Sequence, residues 1–80
     1  MIYPCQIRAA RALIGMSQQE LAQRSSVGLA TIKRIEAVGS EITGTAKTLV
    51  KIQKALESAG IRFIEEADGA GPGLRLVRPL

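Results

Sequence analysis

The sequence predicts a mainly α fold, four short helices followed by a C-terminal β-hairpin. Three observations point there. Apolar residues recur at three- and four-residue spacing from Ile7 to Ala59. Helix start and stop signals, among them Gly15, Ser17 and Gly60, fall between the periodic stretches. After Gly60 the period drops to two, on either side of a glycine-rich turn.

Pro4 suits the first helical position, where a missing N–H costs nothing. Ile7, Ala10, Leu13 and Ile14 then share one face, with Arg8, Arg11 and Ala12 on the others, and Gly15 ends the helix as a left-handed cap. Ser17 is the N-cap of a second helix. Glu20 stands three residues later, so S-Q-Q-E reads as a capping box. Leu21 and Ala22 face inward, and this helix runs to about Arg24 or Ser25. "SSVG" is the joint, with Val27 its one apolar residue. A third helix covers about Leu29 to Ala37, with Ile32 and Ile35 or Glu36 inward and Thr31, Lys33 and Arg34 pointing elsewhere. "VGSEITGT" is a loop broken by Gly39 and Gly44. The fourth helix starts near Thr43 or Thr45 and stops at Gly60. It carries Ala46, Leu49, Val50, Ile52, Leu56 and Ala59 inward, and Lys47, Lys51, Lys54 and Glu57 outward. "IRFIEE" and "LRLVR" are short β-rich runs around "ADGAGPG", which predicts a hairpin pairing about Ile61 to Glu65 with Leu74 to Arg78.

Two organisational units follow: residues 1–60 as the helical domain and 61–80 as the hairpin. A chain of 80 residues buries only a modest core. With Tyr3 and Phe63 its only aromatics, that core is aliphatic. Net charge is +4, and eight of the eleven basic residues lie before Ala55 against three acids, Glu20, Glu36 and Glu41. This basic excess suits a surface that faces nucleic acid. A single cysteine, Cys5, leaves no internal disulfide and no zinc cluster. The absence of histidine removes the usual general base at neutral pH. No enzyme, cofactor, metal or small-molecule ligand is expected. No apolar run approaches the roughly 18 residues of a membrane span, and Arg8 and Arg11 interrupt the only apolar stretch near the N-terminus. A cytoplasmic location without membrane contact is the expectation.

Two helices joined by three or four residues hold their axes at a steep, fixed angle. That is the helix-turn-helix, whose second helix lies in the DNA major groove while the first crosses the backbone. Ala22 is small where the helices cross, Val27 plugs the turn into the core, and Ile32 and Ile35 pin the second helix to the scaffold. "MSQQELAQRSSVGLATIKRIE", Met16 to Glu36, resembles the helix-turn-helix of the lambda-type repressors and Cro proteins, the XRE family. The matching features are Ser17-Gln18, Glu20-Leu21-Ala22, Ile32, Ile35 and Glu36, within a resemblance that covers about Ile7 to Leu56.

The resemblance implies a lambda-repressor-like fold and a role for each matching position. Gln18 would bond a DNA phosphate and brace the recognition helix. Arg11 would pair with Glu36 and also approach the DNA backbone. Leu29, Ala30, Lys33 and Arg34 would face base edges. Thr43, Gly44 and Thr45 would offer backbone N–H groups to phosphate at the fourth helix's start, with Lys47 beside them. The sequence departs from the family at Gly28, which stands where a Ser or Thr N-cap is usual. Leu29 and Ala30 can only touch thymine methyls, whereas Lys33 or Arg34 can take guanine O6 and N7.

The family binds double-stranded DNA as two-fold dimers. Ile61 and Phe63 alternate on one strand and Leu74 and Leu76 on the other, so the hairpin carries an apolar strip suited to a homodimer contact. The competing expectation folds that strip back onto the fourth helix of the same chain. The leading functional expectation is a dimeric, sequence-specific transcriptional regulator of bacterial or phage origin, a repressor or controller protein on an inverted-repeat operator. The alternative is an antitoxin, whose tail binds a toxin while the helical domain represses its own operon.

Overall fold

The computed structural model of the chain describes residues 2–37 and 44–78. In chain order the elements are α1 (Pro4–Ile14), α2 (Gln18–Ser25), α3 (Leu29–Glu36), α4 (Ala46–Ser58), β1 (Ile61–Ile64) and β2 (Gly73–Leu76). This is the expected four-helix, hairpin-ended architecture, with strands shorter than the two β-rich runs.

Each boundary has a local cause. Tyr3 is extended ahead of Pro4, and its N–H donates to Gln6 Oε1 at 2.8 Å. Gly15 closes α1 at φ 67°, a left-handed conformation that glycine adopts without cost. Ser17 Oγ accepts the Glu20 N–H at 3.0 Å and so starts α2. The expected capping box is only half built. The Glu20 carboxylate turns to Arg24 one helical turn on, at 3.1 Å, rather than back to Ser17. The joint holds Ser26 at φ 59°, and Val27 N–H donates to Ala22 C=O at 3.2 Å. Gly28 precedes α3 with no side-chain cap. Thr45 Oγ1 accepts the Thr48 N–H at 3.1 Å and caps α4.

The core is aliphatic. Ile7, Leu21, Ile32, Ile35, Ile52 and Leu56 are fully buried, one or more from each helix. Burying such a side chain is worth about 2 kcal/mol. The apolar stripes of α1 and α4 are wider than the surface that covers them. Leu13 and Val50, read as inward from their spacing, remain 39% and 47% exposed, and Ala46 is exposed as well. On α4, Leu49, Ile52 and Leu56 occupy the centre of the stripe, and Val50 lies a third of a turn outside it.

The hairpin pairs Ile61 with Leu76, Arg62 with Arg75, Phe63 with Leu74 and Ile64 with Gly73. Asp68 and Gly69 turn it with φ of 53° and 77°, flanked by the Ala67–Ala70 bridge. Two central residues with positive φ match the right-handed twist of the strands, which is why Asp-Gly suits this turn. β1 lies against α4 and β2 against α1. Ile61 is buried in the same core as the helices, and Phe63, Leu74 and Leu76 pack against it half-buried. The strip assigned to a dimer contact is therefore covered by its own chain. The physical reason is proximity: β1 begins at the end of α4, whose uncovered apolar face the strip closes. Residue 60 marks a change of secondary structure, not a break between cores. Gln6 seals the junction, its Nε2 donating to Gly73 C=O at 2.8 Å.

Candidate nucleic-acid interface

The recognition-helix candidate is α3, and its two faces have separate tasks. Ile32, Ile35 and Glu36 point inward and are buried. Ala30, Lys33 and Arg34 are exposed, and their spacing of three and four residues sets them on one face. Leu29 is half-buried at the helix start, between the two faces. Lys33 and Arg34 make no salt bridge among the described residues, so both charges are open to a ligand.

The angle of α3 is fixed by a polar hub around its last residue. The Glu36 carboxylate accepts Arg11 Nε at 2.8 Å and Arg11 Nη2 at 2.5 Å, a bidentate pair. It also accepts Gln18 Nε2 at 3.2 Å. The Glu36 carbonyl accepts Arg8 Nη1. Arg11 Nη1 donates in turn to Met16 C=O at 3.0 Å. Thus α1, the α1–α2 turn and the start of α2 all converge on the end of α3. The Glu36 side chain is 4% exposed, and a buried carboxylate requires this degree of pairing. The hydrogen bonds to Glu36 push the Arg11 guanidinium up from its ordinary value, so it stays cationic at every working pH.

The sequence-assigned residues divide accordingly. Arg11 and Glu36 form the expected pair, and all three guanidinium nitrogens of Arg11 are engaged by protein oxygens. Gln18 braces Glu36 and remains half-exposed at the α2 start. The Thr45 side chain is occupied in capping α4, and Lys47 is exposed one residue inside that helix. Thr43 lies outside the described residues. Arg8 was missed by sequence reasoning, although it sits three residues before Arg11 on the same helix and can therefore reach the same neighbour.

A short joint, a second helix pinned by its inner face, and an outer face carrying two cations that form no salt bridge among the described residues is the arrangement of a helix-turn-helix. A family model described as helix-turn-helix matches residues 7–59. The chain belongs to the XRE, or lambda-repressor-type, helix-turn-helix family. None of the curated proteins matches it. As a member of this family, the chain is by kind a DNA-binding transcription regulator. The matched span runs from within α1 to the end of α4 and stops before the hairpin.

Proposed function

We propose that this XRE-family protein is a sequence-specific regulator that binds an inverted-repeat operator as a homodimer, with α3 in the major groove. The carrying observation is the exposed Ala30–Lys33–Arg34 face on a helix whose opposite face is locked by Ile32, Ile35 and Glu36. Arg34 or Lys33 reads a guanine through O6 and N7, while Leu29 and Ala30 touch thymine methyl groups beside it. Gln18, Lys47 and the backbone around Thr43 and Thr45 hold phosphates on either side, and Arg11 supports them chiefly through Glu36. One helix reads too few base pairs to find a site in a genome, so two copies read half-sites about 34 Å apart.

The test is selection of bound duplexes from a random DNA pool, with Lys33→Ala/Arg34→Ala as the control. Enrichment of an inverted repeat by the native chain, lost in the control, is the expected result. General, salt-sensitive binding without enrichment would overturn specific readout. Co-purification with a small toxin would then move the antitoxin reading forward.

A further inference from the structure

A cleft of about 360 Å³ opens where the start of α1, the second half of α4 and the hairpin meet. Its lining departs from the rest of the molecule. The chain has two aromatic residues, Tyr3 and Phe63, and both line it. Glu57, Glu65 and Glu66 line it too, three of the seven acidic residues of a chain whose net charge is +4. No lysine or arginine does, and none of the three carboxylates forms a salt bridge among the described residues. Glu66 Oε1 accepts the Tyr3 hydroxyl at 2.5 Å, and Glu57 Oε2 accepts Gln53 Nε2 at 3.3 Å. Both donors are neutral, so the negative charge stays uncompensated. The end of α4 adds to it. Its last turn carries Glu57 and no basic residue, where the helix dipole is itself negative.

We infer that this cleft binds a small organic cation, an amine or guanidine on an aromatic or alkyl body. Its volume lies within the range of small-molecule sites. The cationic head sits among the three carboxylates and relieves their mutual repulsion. The rings of Tyr3 and Phe63 attract a cation in a way that an aliphatic wall does not. The apolar body of the ligand lies against Phe63 and Ile2. A neutral body of the same shape gains the apolar contacts alone, and an anion is repelled. Gln6 sets the walls before any ligand arrives, since its amide joins Tyr3 N–H to Gly73 C=O. The site stands on this geometry and needs neither the homodimer nor the operator reading.

The probes are phenethylammonium and butylguanidinium, with phenethyl alcohol and phenylpropionate as neutral and anionic counterparts. Each is titrated into the full chain while backbone amide NMR shifts are followed. Both cations should move the amides of Tyr3, Glu57, Phe63 and Glu65 along one saturating curve. The two counterparts should bind at least about fivefold more weakly. Glu57→Gln/Glu65→Gln should raise the dissociation constant of the cations about tenfold. Asp68→Asn, on the turn outside the cleft, should leave it unchanged. Thermal unfolding confirms that both variants are folded. Cations that move none of these amides would overturn the site. So would phenethyl alcohol binding as well as phenethylammonium, or a double variant that binds the cations as the native chain does.

Discussion

Arg11 and Glu36 meet through two hydrogen bonds, Nε to Oε2 at 2.8 Å and Nη2 to Oε1 at 2.5 Å, tying α1 to the last residue of α3. Removing one partner leaves the other charge in a largely closed site. Arg11→Ala should cost about 3 kcal/mol by urea denaturation, since breaking a buried pair strands its mate. The double variant Arg11→Met/Glu36→Leu should cost clearly less than the two single changes added. Additive losses would mean that the pair is not coupled.

Gly28 offers an opportunity to stabilise the chain. It caps α3 with an ordinary φ of −61°, and a Cβ placed there would meet only Thr31 Oγ1, at 3.9 Å. Gly28→Ser should therefore add a few tenths of a kcal/mol by supplying the missing side-chain acceptor. The urea midpoint should rise with an unchanged slope.

Tyr3 is the chain's single tyrosine, so its ionisation can be followed by near-ultraviolet absorbance without interference. Its hydroxyl donates to Glu66 Oε1 at 2.5 Å, and that bond, with the neighbouring negative charge, pushes the phenol up from its ordinary value. The neutral phenol is the favoured form in the folded chain. The contact's contribution to stability is thus fully present below the ordinary phenol range and is lost as pH rises through the raised folded value. The absorbance midpoint should lie above that of free tyrosine and fall back toward it in Glu66→Gln.

Arg34 and Lys47 should separate readout from general attraction. Arg34→Ala should cost about 1–3 kcal/mol on the selected operator and relax preference at one base pair. Lys47→Ala should weaken all duplexes alike and lower the slope of log affinity against log salt by about one. Titrations of operator and scrambled duplex at several salt concentrations distinguish the two.

The sequence carried most of the scaffold because its signals are local. Ile32 and Ile35 declare a buried face by spacing alone, Gly15 marks a left-handed cap, and the glycine-rich ADGAGPG stretch holds the hairpin turn. What escaped depends on neighbours distant in the chain. Gln6 reads as a polar helix residue, yet it is 5% exposed because β2 covers it. Arg8 finds the Glu36 carbonyl only once α3 is docked. Alternation in the hairpin revealed an apolar face but not what lies over it, and the answer was α1 and α4. Val50 failed in the opposite sense, since an apolar residue beside a stripe is indistinguishable from one within it until the covering element is known. In the candidate DNA surface, the exposure of Lys33 and Arg34 followed from helical phase. The hub on Glu36 was legible only in the residues that match the family.

The hydrogen bond from Gln6 to Gly73 spans 67 positions of the chain. It makes the start of α1 depend on a strand made from the far end, so neither can open alone without stranding a buried polar group. Amide hydrogens in the first turn of α1 and in β2 should therefore exchange with solvent as one cooperative unit. Refolding must likewise wait for this distant closure, although most of the helices could form early from local contacts.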